Sequence, residues 1–180
     1  VFDTLPVRDV VLWNSLIAGH ARLGEIEDVL CLFERMRREG GKPNSITFVS
    51  VLNACSHAGL IERGHTYFEF MTKDSGITPT IEHHTCMVDL LGRAGNFKQV
   101  EDLLGRIQTH VDLSIWLRLL GSCRTHSNAE LGRRAFDHAM QSHPERTTLY
   151  VWMSNIYAAI AVEDGECEVK SLKMDDGSMP

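Results

Sequence analysis

The residues able to do chemistry are dispersed. Five cysteines, Cys31, Cys55, Cys86, Cys123 and Cys167, stand at least 24 residues apart, so none forms the C-x-x-C pair that holds zinc or exchanges disulfides. Nine histidines supply no pair four residues apart with a carboxylate beside it, the spacing that sets two imidazoles on one helix face. His83 and His84 are adjacent and therefore diverge on a helix. No nucleophile elbow, phosphate loop or dinucleotide fingerprint is present. The expectation is a chain that is not an enzyme and that carries no metal and no cofactor. Cys31, Cys55, Cys86 and Cys123 sit inside apolar helical runs, where a buried thiol behaves as a small hydrophobe. An odd cysteine count argues against a disulfide framework and for a reducing compartment.

With catalysis set aside, function must come from a surface, and a recurring stretch organises that surface. Trp13 to Gly24 aligns without a gap on Phe48 to Gly59 and on His84 to Gly95, with a ring first, aliphatics within and glycine last. Weaker copies start at Trp116 and Tyr150. The ring positions differ by 35, 36, 32 and 34 residues, the period of a two-helix unit. Gly24, Gly59 and Gly95 suit the left-handed residue that closes a helix. A second helix follows in each unit, with apolar stripes Val29, Leu32, Phe33, Met36 and Val100, Leu103, Leu104, Ile107 at i, i+3, i+4, i+7. Gly64, Tyr67, Phe68, Met71 and Gly132, Ala135, Phe136, Ala139 take the same places, and their small members let neighbouring helices approach closely. Pro43, Pro79 and Pro144 separate the units.

Composition narrows the partners. The chain is 43% apolar and 23% charged, and no apolar run approaches the roughly 20 residues of a membrane helix. The net charge is −6, but Glu163, Asp164, Glu166, Glu168, Asp175 and Asp176 against Lys170 and Lys173 place most of it at the end. The body is nearly neutral, unlike a protein held to nucleic acid by phosphate contacts alone. Residues 161–180 combine charge with Gly, Ser and Pro and no helical stripe, and read as a disordered acidic tail. The chain opens on Val1, so any targeting segment is expected upstream.

These residues resemble pentatricopeptide repeats, specifically the plant subgroup that alternates long and short repeats and ends in an E-type extension. Val10-Val11-Leu12-Trp13-Asn14-Ser15-Leu16-Ile17 looks like the start of a repeat, and residues 1–9 like the end of the one before. Thr47 to Gly59 resembles the family's last long repeat, and Ile81 to Gly95 its last short one. Ile115-Trp116 to His126, Ala129-Glu130-Leu131-Gly132 and Tyr150 to Ala158 resemble the extension. The implied domains are repeats at 10–44, 45–80 and 81–112 and an extension at 113–160, whose second unit is incomplete because the helical pattern fades after Ala158. The implied fold is all-α, a right-handed α-solenoid of antiparallel helix-turn-helix repeats.

The resemblance also implies a function: modular reading of single-stranded RNA, one base per repeat, to select cytidines for C-to-U editing in a mitochondrion or chloroplast. In the family the fifth and last residues of a repeat discriminate the base, and the aliphatic second residues of adjacent repeats flank it. Repeat 10–44 thus offers Asn14 and Asn44 between Val11 and Ile46, a pair resembling the family's pyrimidine readers. Repeat 45–80 offers Val49 and Thr80; Val49 cannot hydrogen-bond, so this repeat is a spacer. Repeat 81–112 offers Thr85 and Asp112, a polar pair suited to a purine. From the residues alone, Asn14 could instead be a solvated or capping residue.

Family members with their own deaminase carry H-x-E followed by P-C-x-x-C. His143-Pro144-Glu145 matches only the first half, so a deaminase is expected in trans, recruited through the extension between Trp116 and Tyr157. The partners expected are RNA and a deaminase or editing protein, with no DNA and no membrane. The rival reading is a protein-binding scaffold of tetratricopeptide type. That pattern wants Leu-Gly and Tyr after the first-helix Trp, and they are missing after Trp13 and Trp116.

Overall fold

The computed structural model describes residues 9–107, 111–143, 145, 147–158 and 161. The chain forms two compact units, Val1–Val111 and Asp112–Pro180, each considered on its own. All regular structure among the described residues is helical. The first unit holds α1 (Val10–Leu23), α2 (Ile26–Arg38), α3 (Ser45–Ala58), α4 (Ile61–Glu69), α5 (Ile81–Arg93) and α6 (Phe97–Arg106). The second holds α7 (Leu113–Thr125), α8 (Ala129–Ser142) and α9 (147–158). No described helix is long and apolar enough to cross a membrane.

Each pair of helices turns on a left-handed residue. Gly24, Gly59 and Gly95 have φ of 78°, 67° and 71°, where a Cβ would be strained. At Gly24 the turn is locked by Gly24 N–H to the Ala21 carbonyl (3.3 Å) and Glu25 N–H to the His20 carbonyl (3.1 Å), the paired closure of a Schellman motif. In the second unit Ser127, with φ 50°, takes that place without glycine.

In the first unit α1 packs on α2 and α3, α3 on α4 and α5, and α5 on α6. The first helices of the hairpins thus form a contiguous layer, and the second helices flank it. This is the arrangement of a helical-hairpin solenoid, whose core lies between neighbours. That core is Trp13, Ile17, Val29, Phe33, Met36, Phe48 and Val51, all buried. Phe33 sits edge-on to Phe48, Tyr67 and Phe70, with ring centroids 5.5, 5.1 and 6.3 Å away. α4 runs on through a wider π turn, Phe70–Asp74, in which Met71 is buried and Phe70 packs against the same core. Along the flanking row, side chains bridge successive helices: Arg63 to Glu27 at 3.4 Å and His65 to Gln99 at 3.3 Å. Both bridges are exposed and contribute little.

The small residues of the second helices make room for the next hairpin. A Cβ on Gly64 would stand 2.3 Å from Leu90 Cδ2 and 3.8 Å from Cys55 Cβ, so α4 lies against α5 with no space for a side chain. Gly64→Leu is expected to lower the unfolding free energy by about 1–3 kcal/mol, the usual cost of overpacking, read as a lower denaturant midpoint at unchanged slope. In the second unit a Cβ on Gly132 would meet Ile156 Cδ1 at 3.0 Å and Cys123 Cβ at 3.4 Å. There Ile115, Leu119, Leu120, Cys123, Ala135, Ala139, Leu149 and Ile156 are buried, and Trp116 stacks on His138 at 4.8 Å.

Three expectations need correction or limit. Cys31 is exposed, whereas Cys55, Cys86 and Cys123 are buried; α2 buries Val29, Leu30, Phe33 and Met36, which turns position 31 outward. Burial pushes the Cys55 and Cys123 thiols up to about 11 and about 12, which leaves them inert as nucleophiles. In α6 only Val100 of its expected stripe is fully buried, because among the described helices of the first unit α5 is the one packed extensively against it. The tail expected at 161–180 lies outside the described residues except for Ala161, which is helical; of residues 1–9 only Asp9 is described.

Candidate functional site

Each hairpin begins on an N-cap residue, and these caps build the site. Asp9 Oδ1 accepts from Leu12 N–H at 2.8 Å, opening α1. Asn44 Oδ1 accepts from Thr47 N–H at 3.1 Å, and Thr47 Oγ1 accepts from Asn44 N–H at 3.0 Å, a capping box that opens α3. His83 Nδ1 accepts from Thr80 N–H at 3.1 Å at the start of α5. Asp112 Oδ1 accepts from Leu113 N–H at 2.7 Å, and its Oδ2 accepts from Ser114 Oγ at 3.0 Å, opening α7.

His83 joins two hairpins through both ring nitrogens. With Nδ1 accepting from Thr80, its Nε2–H donates to the Ser45 carbonyl at 3.0 Å, so this fully buried ring is satisfied only as the neutral tautomer. Burial holds both His83 and its neighbour His84 below the ordinary histidine value. The unfolded chain therefore takes up protons at higher pH than the folded one, and stability rises with pH. The contribution of these two histidines to stability is complete above about pH 6.5, the unfolded histidine value, and declines as the pH falls through and below it. Urea unfolding at pH 7.5 and pH 5.5 is expected to show the lower midpoint at pH 5.5, and His83→Gln to narrow the gap.

Asn14, Asn44 and Thr47 converge into one hydrogen-bonded cluster. Asn14 Nδ2 donates to Asn44 Oδ1 at 3.0 Å, and Thr47 Oγ1 donates to Asn14 Oδ1 at 2.6 Å. Asn14 is 7% exposed and Thr47 0%, so Asn14 is neither solvated nor a cap: it reaches from α1 to the cap of the next hairpin. Asn44 Nδ2 has no protein partner among the described residues, and no buried side-chain polar atom among them lacks one. That donor therefore faces solvent. Val11, one turn before Asn14, and Ile46, beside Thr47, are 66% and 62% exposed, unusual for β-branched aliphatics and available as apolar walls.

The other positions are arranged differently. Val49 is half-buried. Thr80 is exposed, and its hydroxyl lies 2.5 Å from the Glu82 carboxylate. Thr85 is 9% exposed, and its hydroxyl donates to the Ile81 carbonyl at 2.7 Å, which leaves only lone pairs to offer. Thr85 lies in the first unit and Asp112, exposed apart from its capping bonds, in the second. The sequence reading missed Thr47 and His83, the third residue after the cap in each case. The Asn44-x-x-Thr47 spacing of a capping box was the available signal.

For a metal, the described residues bring together one trio, His20, Glu25 and Asp28, with ligand atoms within 4.8 Å of one another. His20 Nδ1 lies 2.6 Å from Glu25 Oε2, and both carboxylates are exposed, so a hydrogen-bonded surface pair accounts for the arrangement. His143 lies 3.6 Å from Glu145 with no cysteine pair in the sequence to complete a zinc site.

Comparison with known proteins gives a consistent result. The chain is 44% identical over 172 residues to the pentatricopeptide repeat-containing protein CRR2, chloroplastic, of Arabidopsis thaliana, covering 96% of this chain and 26% of that protein. It is 42% identical over 177 residues to the pentatricopeptide repeat-containing protein At2g03880, mitochondrial, of the same plant, covering 98% and 28%. The chain thus spans about a quarter of the length of these relatives. Among solved structures, the pentatricopeptide repeat protein PPR10 from maize superposes with a TM-score of 0.70 at 23% identity, covering 97% of this chain and 25% of that one. PPR10 in complex with an 18-nt psaJ RNA element superposes with 0.60 at 22% identity, covering 97% and 24%. The PPR repeat family profile matches residues 8–57, and the PPR repeat profile residues 46–75 and 82–110. Helical hairpins that recur every 32 to 36 residues and repeat matches over more than half of the sequence lead to one conclusion: the chain belongs to the pentatricopeptide repeat family.

Proposed function

We propose that the chain binds single-stranded RNA through the first helices of its repeats and that Asn14 and Asn44 read one pyrimidine base between Val11 and Ile46. The observation that carries this reading is the Asn14–Asn44–Thr47 cluster, which leaves the Asn44 amide donor facing solvent, while Val11 and Ile46, at the second positions of the two adjacent repeats, are exposed. Exposed aliphatics and a solvent-facing amide donor suit a base that packs on its faces and hydrogen-bonds at its edge. The maize relative solved with an RNA element supports the ligand class. Repeats 10–44 and 45–80 act as reader and spacer, and repeat 81–112 offers Thr85 at its fifth position.

We place the chain in the long-and-short plant subgroup, with an E-type extension from residue 113 and a role in organellar C-to-U editing. The partner at the extension is a deaminase or editing protein, and the exposed Tyr150, Val151 and Tyr157 of α9 give it an apolar face. Relatives named as chloroplastic and mitochondrial support an organelle. Nothing in the family matches favours the tetratricopeptide scaffold.

The direct test is equilibrium binding to single-stranded RNA, duplex RNA and single-stranded DNA of one sequence. Single-stranded RNA is expected to bind tightest; equal affinity for the duplex, or no binding of RNA, contradicts the reading. A second expectation arises at Glu82, the exposed residue that takes the second position of its repeat where Val11 and Ile46 stand in the others. The Thr80 hydroxyl holds its carboxyl below the usual carboxylate range, so it is charged at neutral pH and repels phosphates. Glu82→Val is expected to tighten RNA binding about twofold to fivefold in 0.1 M salt, with the gain shrinking as salt screens the charge.

A further inference from the structure

Thr47 belongs to one repeat, yet its side chain serves the pair in the repeat before it. We propose that Thr47 is the positioning residue of the Asn14–Asn44 site, fixing both amides with their oxygens inward so that the site presents donors only. This rests on the base-reading role proposed above.

The orientation follows from the bonds. The α3 cap needs an acceptor for Thr47 N–H, and only Oδ1 of Asn44 can supply it, at 3.1 Å, so Asn44 Nδ2 must face away. Asn14 must then turn its Nδ2 toward Asn44 Oδ1, at 3.0 Å, since the reverse would set oxygen against oxygen. Its own Oδ1 points to the Thr47 hydroxyl at 2.6 Å. The Thr47 oxygen in turn accepts from Asn44 N–H at 3.0 Å, so one hydroxyl closes both loops of the network. Its proton has a second acceptor, Asn44 Oδ1 at 3.1 Å, but the shorter bond goes to Asn14. The hydrogens left over, two on Asn44 Nδ2 and one on Asn14 Nδ2, are all donors.

The neighbouring repeat provides an internal comparison. His83 holds the same third position after its cap and is equally buried. Where the fifth residue is Val49, with nothing to orient, the His83 side chain reaches the Ser45 backbone instead. The third residue thus ties to a fifth-position side chain only where that side chain is polar.

The test compares wild type, Thr47→Ser and Thr47→Val of the full chain on four RNAs that differ only at the base opposite repeat 10–44. The side-chain amide signals of Asn14 and Asn44 are followed by NMR in parallel. Serine keeps the hydroxyl and is expected to preserve the base preference. Valine is isosteric without it and is expected to cut the ratio between best and worst base about fivefold, the effect of one hydrogen bond, and to shift the Asn14 amide signal. Loss of stability alone lowers affinity for all four RNAs together and leaves the ratio unchanged. An unchanged ratio in Thr47→Val, beside a clear preference in wild type, overturns the positioning role and leaves base reading intact. No preference in wild type overturns both.

Discussion

Phe33→Ala is expected to lower the unfolding free energy of the chain by about 3–5 kcal/mol, the range for deleting a large buried ring. Phe33 is fully buried and meets three other rings edge-on, Phe48, Tyr67 and Phe70, all from the next hairpin. Such contacts add about 0.5–1.5 kcal/mol per pair beyond area. The cavity cannot close easily, because Val29, Met36 and Val51 around it are themselves at 0% exposure. Phe33 also couples hairpins: it comes from α2 but packs under α3 and α4. Chemical unfolding followed by far-UV circular dichroism checks this. A loss under about 1 kcal/mol would show that the hairpins do not share this core.

The second large effect is on recognition. Asn14→Val is expected to abolish base preference at its site, collapsing a discrimination of about tenfold to parity, since one good base-edge pair contributes about 1–3 kcal/mol. The fold should survive. Asn44 Oδ1 keeps its bond from Thr47 N–H, and the Thr47 hydroxyl turns to its second acceptor, Asn44 Oδ1 at 3.1 Å. Valine then fills a site that is 7% exposed. Competition binding on four RNAs, with the unfolding midpoint measured alongside, separates loss of reading from loss of fold. Retained discrimination would remove Asn14 from the site.

The architecture was readable because its signals are local and recur. Trp13, Phe48, His84, Trp116 and Tyr150 are each the fourth residue of a helix, and Gly24, Gly59 and Gly95 mark turns that only a left-handed residue can make. The signal failed where a position could be filled in another way: Ser127 adopts the same turn without glycine, and Tyr150 keeps its register but is 56% exposed. Apolar neighbours surround Cys31 in the sequence, but the face they bury leaves it outside. Asn14 and Asn44 were named by resemblance, but their mutual bond spans 30 residues and no local pattern announces it. The same holds for His83, whose Nε2 partner is a backbone carbonyl 38 residues away. Backbone partners leave no trace in side-chain identity.

The measurement closest to the central claim is the base preference of Asn44→Asp against wild type. Aspartate caps a helix as well as asparagine, so Thr47 N–H keeps its acceptor, while the solvent-facing amide donor at Nδ2 becomes an acceptor oxygen. If Asn44 touches a base edge, the preferred base opposite repeat 10–44 must change, toward one that presents an N–H there. A uniform drop in affinity across all four RNAs, with their order unchanged, would mean that Asn44 only caps α3 and that the chain reads no base at this position.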